Sequence, residues 1–133
     1  DYIFMLDVDM QFPADVLLRA LNVHRQCKYD IVGVPYLNRA GTRWHVYTDS
    51  GHYRWRPVED ETLNQPREAD ATGTGLILIP RYVLEKIPYP WFMGYWRDKI
   101  FSEDLIFCHK AKKAGFKIGT TSKVPGINHL SIK

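Results

Sequence analysis

Cysteine is scarce in this 133-residue chain, with only Cys27 and Cys108, both in expected helices and without the spacing of a metal knuckle. That excludes a disulfide-stapled scaffold; free buried thiols and a cytosolic setting, or the cytosolic face of a membrane, are the expectation. Long apolar runs are absent: nothing approaches the roughly 18 consecutive apolar residues of a membrane span, and no signal peptide is visible. Charge of one sign is also lacking. Eighteen basic against fifteen acidic residues leave a net charge of +3, and no Lys/Arg run concentrates it. Nucleic acid is therefore not an expected partner. There are no internal repeats and no low-complexity tracts. What remains is 45% apolar and 25% charged, an ordinary globular composition long enough for one domain, residues 1–133.

The stretch with most to say is the first ten residues. An apolar run, Tyr2 to Leu6, ends in Asp7-Val8-Asp9. Such a run fits a strand covered on both faces, and ligands of open α/β sheets gather beyond the carboxyl ends of such strands. If the backbone stays extended, the period of two sends both carboxylates to one face. Two like charges held close call for a cation or a shared proton; the plainer reading is a strand followed by a polar turn.

Pro13 is expected at the start of a helix reaching Gln26, with Leu17, Ala20, Leu21 and His24 on one stripe. Asp30 to Tyr36 reads as a buried strand, so the opening is β-α-β with its strands in parallel. Trp44 to Thr48 and His52 to Pro57 alternate around Asp49-Ser50-Gly51, the pattern of a β-hairpin with a tight turn. Val58 to Arg67 is polar and reads as a surface loop. Ala71-Thr72-Gly73-Thr74-Gly75 leads into Leu76-Ile77-Leu78-Ile79, a second central strand, and the paired glycines permit close approach of backbone to a ligand. A short helix follows Pro80. The aromatic stretch Pro88 to Trp96 is read either as a sugar-stacking wall or as a loop closing over the core.

Ser102 to Ala114 is the clearest helix: Ser102 at the N-cap, Glu103 and Asp104 in the first turn, Lys110, Lys112 and Lys113 in the last, and Gly115 as the stop. Asp104 shares a face with Cys108 and Ala111, so it is expected to point inward. Phe116 to Gly119 reads as a last short strand. Acids at a helix N-terminus complement its dipole whatever else they do. Asp7, Asp9 and His129 would make a partial shell for a hard divalent cation, Mn²⁺ or Mg²⁺, leaving Asp104 as a free carboxylate for general-base work. For His129 the plainer reading is a packed or surface histidine. The histidines at 24, 45, 52 and 109 show no ligand spacing and read as structural or solvated.

Taken in order, these residues resemble family 2 glycosyltransferases of the GT-A fold over nearly the whole chain. Tyr2 to Asp9 resembles the strand carrying the Asp-x-Asp motif, and Ala71 to Arg81 the Gly-containing central strand. Ser102 to Ile118 is similar to the Glu-Asp helix and its following strand, and Asn128-His129-Leu130 to a late metal-binding histidine. The resemblance implies an α/β, partial GT-A (Rossmann-like) domain: a mixed sheet with flanking helices and a β-hairpin insertion, lacking the N-terminal nucleoside-binding part. It implies metal-dependent transfer of a sugar from a nucleotide-sugar donor to a hydroxyl acceptor such as a glycan, with inversion. Asp104, with Glu103 second, would be the base, and Asp7, Asp9 and His129 would hold the metal. Gly73, Thr74 and Gly75 would line the sugar pocket, while Trp91, Phe92 and Trp96 would stack the acceptor. The exposed first strand would pair with a second copy or with a partner completing the sheet. The competing expectations are a non-catalytic sugar-binding or structural fragment of such a domain and a haloacid-dehalogenase-like phosphatase. The phosphatase would want Thr or Val where this chain has Gln11.

Overall fold

A computed structural model describes residues 1–96, 99–100 and 102–130, without the side chains of 95, 96, 99 and 100. Its elements follow the chain as β1 (Tyr2–Leu6), β2 (Met10–Gln11), α1 (Val16–Cys27), β3 (Ile31–Gly33), β4 (Val46–Asp49), β5 (Trp55–Pro57), a 3₁₀ turn (Asp60–Leu63), β6 (Arg67–Ala69) and β7 (Ala71–Thr72). They continue as β8 (Leu76–Pro80), α2 (Arg81–Lys86), β9 (Tyr95–Trp96), β10 (Lys99–Ile100), α3 (Glu103–Lys113), β11 (Ile118–Thr120) and β12 (Asn128–His129). The main sheet has the order β1-β8-β3-β11-β6. It is mixed: β3 and β11 are parallel, and every other pairing in it is antiparallel. The domain is a mixed α/β fold.

β8 is the strand covered on both faces. Leu76 and Leu78 face the cluster of Val16, Ala20 and Val23 from α1, while Ile77 and Ile79 face Val83, Leu84, Phe107, Cys108 and Ala111 from α2 and α3. The period of two thus divides one apolar run between two cores. β1 departs from the expectation that it, too, is doubly covered. It lies at the sheet edge with Tyr2 45%, Ile3 46% and Leu6 42% exposed. Hydrophobicity alone cannot distinguish an edge strand from a central one, because neighbours set burial. β1 and β3 do run the same way, but β8 lies between them.

Other expectations shift locally. α1 begins at Val16 rather than at Pro13, whose carbonyl instead accepts the Val16 N–H at 3.2 Å. The β4–β5 connection is longer than a two-residue turn, running through Ser50 to Arg54 and stabilised by Asp49 Oδ1, which accepts from Gly51 N and Arg54 N. The polar stretch after Val58 is not all surface, since Leu63 is fully buried. Lys110 does more than complement the helix dipole: it is buried and its Nζ donates to Pro90 O at 2.7 Å, tying the aromatic stretch to α3. Gly115 does stop α3, with φ of +95°. The strand expected at Phe116 to Gly119 starts two residues later and ends one later, at Ile118–Thr120, and β12 follows it.

Candidate functional site

The carboxyl end of β1 meets the start of β8. Antiparallel register sets Leu6 opposite Leu76, and Asp7 N donates to Gly75 O at 2.8 Å. A β-carbon built on Gly75 would lie 2.8 Å from both Asp7 Oδ2 and Tyr36 Oη, so this position tolerates no side chain. Gly73 is equally confined, its β-carbon position falling 2.2 Å from Tyr36 Oη and 2.9 Å from His45 Cβ. The Gly73-Thr74-Gly75 turn is therefore pressed against Asp7, Tyr36 and His45.

The backbone does not stay extended past Asp7. Met10 N donates to Asp7 O at 3.2 Å, closing a turn, so strand periodicity does not align Asp7 with Asp9. The two carboxylates take different partners. Asp7 sits over Gly75, whereas Asp9 forms an ion pair with Arg39 and lies 3.8 Å from His129 Nδ1. His129 arrives through β12, which pairs with β2 so that His129 opposes Met10. Leu130 N further donates to Asp9 O at 2.6 Å. Both ring nitrogens of His129 are buried without a hydrogen-bond partner among the described residues. A buried imidazole with no partner is an expensive arrangement unless something supplies one.

Behind these groups lies an aromatic floor that sequence reasoning passed over. Tyr36 Oη accepts the Gly75 N–H at 3.0 Å, and burial pushes its phenol well above the ordinary tyrosine range. The Tyr36 ring packs on His45 (centroids 4.8 Å) and edge-on to His129 (5.9 Å). His45 Nδ1 is hydrogen-bonded to Tyr47 Oη at 2.8 Å. Burial depresses the His45 pKa, and the nearby Asp104 carboxylate opposes that shift. Asp7 and His129 act on the same ring. The alternation of Trp44 to Thr48 does place His45 and Tyr47 on one face; only tertiary packing shows that this face is the floor of the site.

Asp104 points inward, as its place beside Cys108 implied. Its Oδ1 accepts from Ser102 Oγ and from Leu105 N, and its charge is felt by Tyr36, His45, Tyr47 and Cys108. Its second oxygen has no hydrogen bond among the described residues. Ser102 holds the N-cap position without a side-chain bond to the helix backbone, so Asp104 is anchored by Ser102 rather than the helix by the cap. Glu103, its sequence neighbour, is exposed.

The aromatic wall is not where it was expected. Trp91 Nε1 donates to Leu84 O and Ile87 O, and the ring borders a groove with Asp1, Tyr2 and Ile3, at the far end of β1 from Asp7. Phe92 stacks on Phe107 at 4.6 Å within the core. Both close the core over α2 and α3 rather than face the carboxylates. The side chain of Trp96 lies outside the described residues.

The fold matches that in the crystal structure of A197 from STIV. The TM-score is 0.66 and sequence identity 19%, over all of this chain and 68% of that one. At that identity the likeness is one of fold. No family model matches the chain, and no curated protein does. Among the described residues no group of three or more His, Cys, Asp or Glu side chains stands ready to hold a metal, and no helix is long and apolar enough to cross a membrane.

A divalent cation fits the site in part. Asp9 Oδ2 and His129 Nδ1 face one another, and the orphaned buried imidazole is of the donor type such an ion accepts. Asp7 does not join them directly.

Proposed function

We propose that this domain carries out metal-dependent transfer of a sugar from a nucleotide-sugar donor to an acceptor hydroxyl, as a GT-A glycosyltransferase domain. The observation that carries the reading is the clustering of distant parts of the chain at the Gly73–Gly75 turn: Asp7 and Tyr36 press on Gly75, the Tyr36 ring packs on His45 and edge-on to His129, and Asp9 Oδ2 lies 3.8 Å from His129 Nδ1. Asp9 and His129 are the residues that would hold the cation, with diphosphate oxygens and water completing its shell. When bound, the ion neutralises the charge that grows on the departing diphosphate. The glycine turn would border the sugar through Thr74, since the amides of Gly73 and Gly75 are already held by His45 O and Tyr36 Oη. Asp104, anchored through one oxygen, presents the other to the acceptor. The acceptor O–H proton passes to that oxygen while the new C–O bond forms at the anomeric carbon. The anomeric carbon–phosphate oxygen bond breaks with its electron pair going to the diphosphate. Attack from the face opposite the leaving group inverts the anomeric centre.

A second reading is favoured by the Arg39–Asp9 ion pair: a non-catalytic domain that binds sugar nucleotides without a metal. A thermal-shift panel of nucleotide sugars, with and without Mn²⁺, separates the two. Transferase function requires a donor that stabilises the protein only with metal, and Asp9→Ala must abolish that shift. Equal stabilisation without metal supports the binding module. No stabilisation by any sugar nucleotide, on this chain or on a longer one containing it, sinks both.

A further inference from the structure

The turn Asn38 to Gly41 is built to present one side chain. Asn38 Oδ1 accepts from Thr42 N at 2.8 Å and Arg43 N at 3.2 Å, Asn38 N donates to Arg43 O at 2.8 Å, and Gly41 takes φ of +71°. Arg39 leaves this turn and pairs with Asp9 across thirty residues of sequence. The partners are unequally held. The Asp9 and His129 side chains are 19% and 17% exposed, while that of Arg39 is 66% exposed. The carboxylate is therefore the fixed member and the guanidinium, on its long stem, the movable one. Arg39 and His129, with Met10, Tyr36, Asn38 and Asn128, also line a cavity of about 180 Å³. The Asn128 amide and the Arg39 guanidinium are the polar donors on that lining, the Asn38 amide being engaged with Thr42 Oγ1 at 3.1 Å, and the cavity shares Arg39 and His129 with the carboxylate a cation would take.

We infer that Arg39 has two alternative positions: it neutralises Asp9 before the site is loaded, and it binds the donor's diphosphate once a divalent cation has taken Asp9. This rests on the proposal that Asp9 and His129 bind a cation. The guanidinium and the cation compete for the same Asp9 oxygens, and a planar fork released beside a metal-bound diphosphate matches two phosphate oxygens at once. The displaced charge is reused rather than stranded. Metal and diphosphate binding are thereby coupled through one side chain, with opposite sign for each.

The test measures Mn²⁺ binding to the whole chain by electron paramagnetic resonance, and UDP and GDP binding at saturating Mn²⁺ by calorimetry. Arg39→Ala is expected to tighten Mn²⁺ about two- to fivefold, the worth of an exposed ion pair. The same variant weakens diphosphate binding about tenfold or more. Arg39→Lys should leave Mn²⁺ affinity near wild type, since the competing charge remains, while diphosphate affinity falls with the loss of the fork. Thermal melts of both variants check that the fold is retained. Mn²⁺ affinity unchanged or weakened in Arg39→Ala, while the wild type binds Mn²⁺, overturns the inference and leaves the cation site standing. A diphosphate affinity that Arg39→Ala does not weaken overturns it as well. Failure of the wild type to bind Mn²⁺ removes the cation site itself, and the inference with it.

Discussion

His45 Nδ1 and the Tyr47 hydroxyl share a hydrogen bond of 2.8 Å within reach of the Asp104 charge. Burial keeps both groups in their neutral forms, lowering the imidazole pKa and raising the phenol's. The phenol can then donate to Nδ1, which leaves the imidazole proton on Nε2.

Stability should fall with acid more steeply than it would without His45. The folded pKa lies below the ordinary 6.5, so the folded state binds fewer protons than the unfolded one in that range. The contribution is fully present above 6.5 and is lost as pH falls through 6.5 toward the folded value. In His45→Gln the thermal midpoint should therefore decline less between pH 7 and about pH 5 than in the wild type. Superimposable profiles would show that the ring is not held neutral by burial.

The glycine turn should be intolerant of single atoms. Tyr36→Phe strips the acceptor from the buried Gly75 N–H and is expected to cost about 1–3 kcal/mol. Gly75→Ala drives a methyl group into Asp7 Oδ2 and Tyr36 Oη and should cost about 1–3 kcal/mol. Because both changes act on one contact, the double variant should lose less than the sum of the two. Urea unfolding measures all three, and strict additivity would mean the groups are not in contact.

Asp104→Asn should separate chemistry from binding. Under the transferase reading turnover drops about a hundredfold or more while donor affinity and thermal midpoint stay close to wild type. Exposed Glu103, as Gln, should leave turnover little changed. Turnover that survives Asp104→Asn would move the base elsewhere.

The β1 edge should be adhesive. One side of Tyr2–Leu6 pairs with β8, and among the described residues no strand pairs with the other, which lies beside exposed Tyr2, Ile3 and Leu6. Sedimentation should show mass rising with concentration, and Ile3→Lys should suppress the rise without lowering the melting temperature. A clean monomer at high concentration in the wild type would count against an adhesive edge.

Much of the architecture was legible in local pattern. The run Leu76 to Ile79 announced a doubly covered strand, and Ser102 with Gly115 bracketed α3 correctly. The inward aim of Asp104 followed from helical spacing alone. Legibility failed wherever a residue's meaning depends on a neighbour remote in sequence. Tyr2–Leu6 and Leu76–Ile79 look alike as strings, yet one lies at the edge and the other in the middle. Trp91 and Phe92 could be read as a sugar platform or as a loop closing over the core, because an exposed aromatic and a core aromatic are spelled the same way. Nothing near Arg39 in the sequence marks Asp9, thirty residues away, as its partner.

The sequence by itself determined which segments are apolar, where chain reversals fall, and that carboxylates stand at the ends of β1 and at the start of α3. These depend on side-chain period and on backbone conformations that glycine or proline impose over a few residues. Tertiary structure decided which carboxylate meets which partner. The turn after Asp7 sends Asp9 away from it toward Arg39, β2–β12 pairing delivers His129, and the packing of the hairpin brings His45 and Tyr47 within reach of the Asp104 charge. Strand register and sheet order are sums of many weak long-range contacts, and no short stretch of chain contains them.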